Sequence, residues 1–372
     1  MTNLDVRPQE MRCADVPASA DEGIPAVEVL LPRDVPLGGV RAMTVRRTLP
    51  QRRRSVIGAW CFADHYGPDD VEVTGGMRVP PHPHTGLQTV SWLFSGAVEH
   101  RDSLGTHVVV RPGEMNLMTA GHGISHSEDS TADTRVLHGV QLWTVLPEKD
   151  RDVEPRFDHH VPGPTSVPGG ELRVFLGALA GVVSPVPTYS PLLGAELTLE
   201  AGAAVTFHVD PSFEPGVLVD HGGVTLVPEE SADGRVPQQS PDGTVSPDGT
   251  LSAVEPTLVT SGQLAYTAPG AATLTLRASD DGPARMLLIG GAPLGEQIVM
   301  WWNFIGRDHA EVMAAREAWQ REIGADDAVV PAGGTNGTVR RPHGSRFGAV
   351  GGHPHPPLPA PALPNHRLKP RG

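Results

Sequence analysis

Short strand-like segments, each ended by glycine or proline, recur along this chain and restrict it to a mostly β fold. Examples rich in β-branched and aromatic residues are VEVLLP from Val27, TVSWLFSGAVEH from Thr89 and HGVQLWTVLP from His138. Glycine and proline, with 43 and 38 residues, together exceed a fifth of the 372-residue chain, which favours many turns. Several short strands at this spacing predict a β-sandwich or a β-barrel.

Two series of such strands indicate two β-domains. A charged and then Pro/Gly-rich stretch separates them, and the second series begins at LRVFLGAL (172–179). Two domains also agree with the chain length. A polar segment that carries PDG twice interrupts the second series and predicts an extended surface loop. The expected divisions are a flexible N-terminal segment (1–24), a first barrel (25–150), a linker (151–170), a second barrel (171–324) and an inserted loop (229–256).

The end of the chain contains one predicted helix followed by a tail. The helix spans residues 308–324, and Asp308 is its expected N-cap. Val312 and Trp319 lie on one apolar face of this helix. Residues 325–372 are rich in Gly, Pro, Arg and His and hold too few apolar side chains to order themselves. We therefore expect a disordered tail.

The charge of the chain argues against contact with nucleic acids. The formal net charge is −14, whereas a nucleic-acid-binding protein normally carries a basic total or a basic stripe. No apolar run approaches the roughly 20 residues that span a bilayer. The two cysteines, Cys13 and Cys61, form no CxxC pattern, which fits a reducing compartment. We expect a cytoplasmic protein that binds neither nucleic acid nor membrane.

Two pairs of potential metal ligands stand about forty residues apart. PPHPHTGLQ contains His82 and His84, and AGHGISHSE contains His126 and Glu128. One residue separates the members of each pair, so both side chains face the same side of a β-strand. Two such strands facing each other would supply three imidazoles and one carboxylate. This ligand set, with coordination positions left over, is typical of Fe(II), Mn or Ni, and tetrahedral zinc remains an alternative.

A less specific interpretation is that these histidines are surface residues beside a turn. The tail contains the same HPH tripeptide, at His353 and His355, with no strand to hold it. The second pair favours the metal site, because Gly121 and Gly123 would let the backbone turn tightly just before it.

We expect four other histidines of the first domain to be surface or structural residues. We expect His100 and His107, which flank the turn RDSLGT, to lie at the surface, and His65 and His138 to be structural. The second domain has no equivalent HxH pair, and we expect it to bind no metal.

Several long segments resemble the pirin family of the cupin superfamily, in the same order and spacing. The resemblance runs from about residue 30 to 324 and is carried by GAWCFADHYGP, PPHPHTGLQTVSWLFSGAVEHRDSLG, RPGEMNLMTAGHGISHSE, HGVQLW, TYSPLLGAEL and APLGEQIVMWWNF. It implies an all-β bicupin, in which two jelly-roll β-barrels lie face to face, followed by one C-terminal helix. Because two facing barrels bury much of each other's sheet, we expect a monomer.

The resemblance also implies which residues hold the metal, and it places one metal in the N-terminal barrel only. His82, His84, His126 and Glu128 correspond to the family's iron ligands. The expected cofactor is one divalent metal per chain, Fe(II) first, with Mn, Ni, Cu, Co or Zn as alternatives. Many pirins have glutamate where this chain has Gln88, so Gln88 is expected near the metal, and a possible base is missing there.

Two functions from different classes follow from the resemblance. Some pirins are similar to quercetin 2,3-dioxygenases, which would make this chain an oxidoreductase that opens a flavonol with O₂. Glu128 would then be both ligand and candidate base. Four residues on nearby strands would line an apolar pocket, although ordinary barrel core explains them at least as well: Trp92, Phe94, Met115 and Met118. The alternative is a non-catalytic, iron-binding, redox-responsive regulator that contacts a transcription factor or a metabolic enzyme.

Overall fold

The computed structural model describes residues 27–37, 43–229, 256–325 and 345–371. The predicted flexible segment 1–24 lies outside these residues, as does nearly all of the predicted loop 229–256. Strands predominate in the described part of the chain, as the glycine- and proline-punctuated segments predict.

The elements are numbered in chain order. Those before residue 162 are β1 (Val27–Leu30), β2 (Arg33–Leu37), β3 (Met43–Leu49), β4 (Trp60–Asp70), α1 (Val71–Thr74), β5 (Arg78–His84), β6 (Leu87–Ser95), β7 (Val98–Asp102), β8 (His107–Val110), β9 (Met115–Thr119), β10 (Ile124–Ser130), β11 (Val136–Val145), a 3₁₀ turn (Glu148–Asp150) and β12 (Arg156–His160). Those that follow are β13 (Thr165–Val167), β14 (Gly170–Leu176), β15 (Ala178–Leu179), β16 (Val182–Val183), β17 (Leu192–Leu199), β18 (Ala204–His208), β19 (Glu214–His221), β20 (Gly223–Glu229), β21 (Thr257–Thr260), β22 (Leu264–Thr267), β23 (Thr273–Ala278), β24 (Ala284–Gly291), β25 (Val299–Trp301), β26 (Phe304–Gly306) and α2 (His309–Glu322).

The chain divides into two compact units, the first built mainly from residues 32–162 and the second mainly from residues 163–293. The first unit contains two antiparallel sheets. A seven-stranded sheet has the order β12-β9-β6-β11-β4-β3-β2, and a four-stranded sheet has the order β5-β10-β7-β8. Buried apolar side chains from both sheets form one core, which includes Val45, Tyr66, Val79 and Leu93. Successive residues of a strand face opposite sides, so every second side chain points into this interior. A polar side chain at one of these positions is directed inward as well.

The second unit repeats this arrangement. Its seven-stranded antiparallel sheet has the order β1-β22-β19-β24-β17-β14-β13, and its four-stranded sheet has the order β18-β23-β20-β21. The core of this unit is almost entirely aliphatic and includes Leu172, Leu197, Val219 and Leu276. The predicted pair of β-barrel domains is therefore present.

The domain boundaries differ from those expected. Strand β1, expected in the first barrel, pairs with β22 and completes the edge of the second unit's sheet. The expected linker 151–170 contains β12, which pairs with β9, and β13, which pairs with β14. Residues from Leu294 onward group with the first unit. Strand pairing is set by backbone hydrogen bonds at sheet edges, where proline is tolerated, so composition alone misplaces such segments.

Helix α2 agrees closely with its prediction. Asp308 is the N-cap, and its Oδ1 accepts a hydrogen bond from the backbone N–H of Glu311 at 3.0 Å. Val312 and Trp319 are buried, as their spacing predicts. Among the described residues, no helix is long and apolar enough to cross a membrane.

The described part of the tail, residues 345–371, is packed against the first unit, which corrects the expectation that all of 325–372 is disordered. Phe347 is fully buried, and its ring lies 5.4 Å from Trp319 and 6.0 Å from Phe304. The carboxylate of Glu322 accepts hydrogen bonds from the backbone of residues 346–348. The composition rule fails here because the few apolar residues of the tail dock on α2 instead of packing against one another. Residues 326–344 lie outside the described part.

Candidate metal centre

Strands β5 and β10 bring the two predicted ligand pairs together. They pair in antiparallel register, with His126 opposite His82 and Ile124 opposite His84. A register shift follows His126, and Glu128 lies opposite Val79. The three histidines are fully buried, and Glu128 is 2% exposed. The four residues therefore line one face of the four-stranded sheet, inside the first barrel.

The three imidazoles converge on a common point. His84 Nε2 lies 3.1 Å from His126 Nε2. The ring centroids of His82 and His126 are 4.3 Å apart, and those of His82 and His84 are 5.0 Å apart. One ring nitrogen of each histidine lies within 4.8 Å of the others. Glu128 forms a second group of this kind, with His126 and His100.

The proton on His82 can be placed from its hydrogen bond. His82 Nδ1 lies 2.9 Å from the carbonyl oxygen of Pro80, and a carbonyl only accepts hydrogen bonds. Nδ1 therefore carries the proton, and Nε2 keeps its lone pair. This Nε2 is buried and has no hydrogen-bond partner among the described residues. A buried lone pair without a partner is costly, and a metal ion would satisfy it. These residues therefore fit the metal that the resemblance implies.

Burial also sets the charge of these histidines. Burial lowers the pKa of His82 to about 3, although the Pro80 carbonyl opposes this effect. Burial likewise lowers the pKa of His84 and His126 well below the usual value, and the neighbouring histidines contribute to the lowering. All three are neutral at pH 7. Only a neutral imidazole is a metal ligand, so a metal need not displace protons from them.

Two glycines position the ends of the ligand strands. Gly121 has φ +51°, and a Cβ there would lie 1.8 Å from the carbonyl oxygen of Val153. Gly86, two residues after His84, has φ +70°, and a Cβ would lie 2.4 Å from the carbonyl oxygen of Ile305. The expected tight turn before the second ligand pair is thus built on Gly121.

Two of the other predicted residues make contacts with neighbouring strands. Gln88 is buried, where its Nε2 donates to Thr119 Oγ1 at 2.9 Å and its Oε1 accepts from Thr144 Oγ1 at 3.2 Å. Met118, on β9, packs with Ala120 in a small apolar cluster, as a core residue would.

A serine lies beside the carboxylate of the site. Ser91 Oγ lies 3.3 Å from Glu128 Oε1 and 2.9 Å from Gln141 Oε1. Both are acceptors, so the single hydroxyl proton of Ser91 can serve either one. The rings of Trp143 and His84 make an edge-to-face contact, with centroids 5.1 Å apart.

Sequence reasoning missed one pair of residues. His100 was expected at the surface, but it is 3% exposed, and Asp102 is 2% exposed. The expectation is correct for its neighbour His107, whose side chain is 56% exposed. The signal was present in the sequence, because His100 and Asp102 have the same i, i+2 spacing as the ligand pairs.

Comparison with known proteins agrees with this architecture. The Pirin family matches residues 40–144, and the Pirin C-terminal cupin domain matches residues 194–324. A Pseudomonas aeruginosa protein, provisionally named as a quercetin 2,3-dioxygenase, is 43% identical over 289 residues, which cover 77% of this chain and 82% of that protein.

Solved structures give the same result. The structure of a quercetin 2,3-dioxygenase from Acinetobacter baumannii is 30% identical, with a TM-score of 0.74 over 92% of this chain and 97% of that one. The Escherichia coli pirin YhhW, solved in complex with nickel(II), is 18% identical and shares the fold, with a TM-score of 0.50 over 72% of this chain and 99% of that one. Two antiparallel barrels, one of which holds buried histidine and acidic groups able to bind a metal, define a bicupin. The chain belongs to the pirin family.

Proposed function

We propose that His82, His84, His126 and Glu128 bind one divalent metal, with Fe(II) as the first candidate and Mn, Ni, Cu, Co or Zn as alternatives. The convergence of three neutral, buried imidazoles supports this proposal, because the Nε2 of His82 has no hydrogen-bond partner in the described part of the chain. Three nitrogens and one oxygen suit a metal that accepts more than four ligands. The nickel(II) complex of the related pirin fold is consistent with such a site.

We further propose that the chain is a dioxygenase that opens a quercetin-like flavonol with O₂. The provisional name of the relative that is 43% identical, and the name of the solved structure that is 30% identical, support this activity. The metal, when bound, would supply a Lewis acid for the substrate oxygens and a site for O₂.

The chain's own residues have distinct tasks in this proposal. His82, His84 and His126 hold the reaction centre in a buried place from which bulk water is excluded. Glu128 accepts the proton of the flavonol 3-hydroxyl at a carboxylate oxygen, as a general base does. Ser91, 3.3 Å from Glu128 Oε1, orients that carboxylate. Gln88 is engaged with Thr119 and Thr144, so it takes no part in this proton transfer.

One observation favours the second candidate, a non-catalytic, redox-responsive regulator. The four proposed ligands are 0–2% exposed. Thr85, the residue after His84, helps to line a cavity of about 160 Å³ whose other lining residues include the charged side chains of Arg151, Glu311 and Arg346. A buried centre beside charged groups could report its oxidation state to a protein partner.

Oxygen uptake distinguishes the two functions. Protein loaded with Fe(II) to a measured metal content would be given quercetin in an oxygen electrode, alongside His84→Ala. His107→Ala is the matched control, because His107 is an exposed histidine of the same barrel. The dioxygenase proposal requires uptake that the wild type and His107→Ala share and that His84→Ala loses. Full metal occupancy without uptake would instead favour the regulator.

A further inference from the structure

A third pair of polar residues lies on the strand next to the ligand strand. Strand β7 pairs with β10 so that Asp102 is opposite His126 and His100 is opposite Glu128. Directly paired residues of adjacent strands share a face of the sheet. The neighbouring strands β5, β10 and β7 therefore each direct two polar side chains, spaced i and i+2, to the same interior face.

The hydrogen bonds of this pair run in one direction, from His126 through His100 to Asp102, away from the metal centre. His100 Nε2 lies 3.3 Å from Asp102 Oδ2, and His100 Nδ1 lies 3.4 Å from His126 Nδ1. A carboxylate only accepts, so His100 Nε2 carries the proton, and in a neutral ring Nδ1 is then an acceptor. His126 Nδ1 must donate to it. The remaining nitrogen of His126, Nε2, keeps its lone pair and is the atom 3.1 Å from His84 Nε2.

The far end of this chain of hydrogen bonds is rigidly held. Asp102 Oδ1 accepts from the backbone N–H groups of Leu104 at 2.9 Å and Thr106 at 3.0 Å. The ring of Phe157 lies 4.8 Å from the ring of His100. The backbone thus anchors Asp102, and Phe157 packs against His100, the ring that contacts His126.

We propose that His100 and Asp102 are positioning residues that fix the proton on His126 Nδ1 and aim Nε2 at the metal. The inference rests on the proposed metal site and deepens it. For His82 the same task falls to the Pro80 carbonyl, a neutral acceptor, whereas His126 is supported by a carboxylate through a second imidazole. A carboxylate that accepts a hydrogen bond from a metal-binding histidine makes that histidine a stronger electron-pair donor to the metal.

His100 is not itself a ligand in this proposal, although it lies within 4.8 Å of His126 and Glu128. Its two ring nitrogens are both engaged, one with Asp102 and one with His126. A direct ligand would need one of these nitrogens free.

Cobalt(II) binding tests the proposal without any reliance on catalysis. The metal-free full chain would be titrated with Co(II) in competition with a chelator, and its visible spectrum recorded at saturation. The variants are His100→Leu, which removes both hydrogen bonds, and His100→Asn, which keeps an acceptor near the Nδ1 position. His107→Leu is the matched control, since it removes an exposed histidine from the same hairpin.

We expect His100→Leu to weaken Co(II) binding by about 10- to 100-fold, with one ion still bound at saturation and an unchanged spectrum. His100→Asn should recover part of this loss, and His107→Leu should match the wild type. Wild-type affinity in His100→Leu would overturn the proposal. A changed coordination spectrum or lost stoichiometry would also overturn it, because His100 would then be a ligand. If His84→Ala binds Co(II) as the wild type does, the assignment of the metal site itself is wrong. That outcome differs from the two above, which concern only the role of His100.

Discussion

At the scale of single residues, the chemistry of the site depends on which of the two ring nitrogens of each histidine carries a proton. The i, i+2 spacing of His82 and His84, and of His126 and Glu128, was sufficient to predict which side chains meet. It carried no information about which nitrogen bears a proton. That depends on the Pro80 carbonyl for His82 and on His100 for His126, acceptors that only the folded chain brings within reach.

Removing one ligand tests the metal assignment. We expect His84→Ala and Glu128→Ala to lose bound Fe(II) while they keep the fold, because the apolar cores of both units lie outside these side chains. Metal content by elemental analysis and the circular dichroism spectrum are the measurements. Unchanged metal content in both variants would contradict the assignment, and His107→Ala should behave as the wild type.

A buried ion pair provides a second test at the residue scale. Arg47 Nε and NH2 donate to the two carboxylate oxygens of Asp64 at 2.6 and 2.8 Å, and both residues are buried. We expect Asp64→Ala to lower the free energy of unfolding by about 3–5 kcal/mol, because it leaves a buried guanidinium unpaired. Urea denaturation measures the loss. Asp158→Ala, which breaks a more exposed pair with Arg156, should cost less than about 1 kcal/mol.

At the scale of elements, the tail supports the strand that carries two of the proposed ligands. Ser125 donates from its Oγ to the carbonyl of Gly348 at 2.7 Å, and its backbone N–H donates to the carbonyl of Phe347 at 3.0 Å. Asp129 contacts His353. Ser125 and Asp129 flank His126 and Glu128 on β10, so the tail braces the strand next to both ligands.

Removal of the tail should therefore destabilise the first unit, contrary to what its composition suggests. We expect Phe347→Ala to cost about 3–5 kcal/mol, as for other buried phenylalanines, and to lower the melting temperature by on the order of 10 °C. Deletion of residues 345–372 should lower it at least as far. Scanning calorimetry measures both, with His355→Ala at an exposed position of the tail as control. An unaltered melting temperature after the deletion would show that the tail does not dock.

The contact between His353 and Asp129 makes this docking dependent on pH. Burial alone would lower the pKa of His353, but the Asp129 carboxylate at 2.9 Å and the carbonyl of His355 outweigh it and raise the pKa. A raised pKa in the folded state means that the protonated histidine stabilises the fold. This stabilisation is complete below about pH 6.5, which is the pKa of histidine in the unfolded chain. It is lost as the pH rises through the higher pKa of the folded state.

The difference in unfolding free energy between the wild type and His353→Ala should accordingly be larger at pH 6 than at pH 8.5. Urea denaturation at the two pH values measures it. An equal difference at both would mean that His353 contributes through packing alone.

At the scale of the whole molecule, the two units share an architecture but differ in their interiors. Of the groups of three close metal-binding side chains among the described residues, none lies wholly within the second unit, whose core is aliphatic. We expect one tightly bound metal per chain instead of two. Elemental analysis of the saturated and desalted protein measures the ratio, and a ratio of two would require a second site in the other barrel.

The sequence by itself determined the β class, the two-barrel plan, helix α2 and the four residues proposed as ligands, because each depends on a local period of two or of 3.6 residues. The tertiary structure decided what depends on partners distant along the chain. It placed Val27–Leu30 on the edge of the second unit's sheet, Phe347 against α2, and His100 behind His126. Edge pairing, docking and burial depend on surfaces that other segments of the chain form. The local pattern of one segment contains no information about those surfaces.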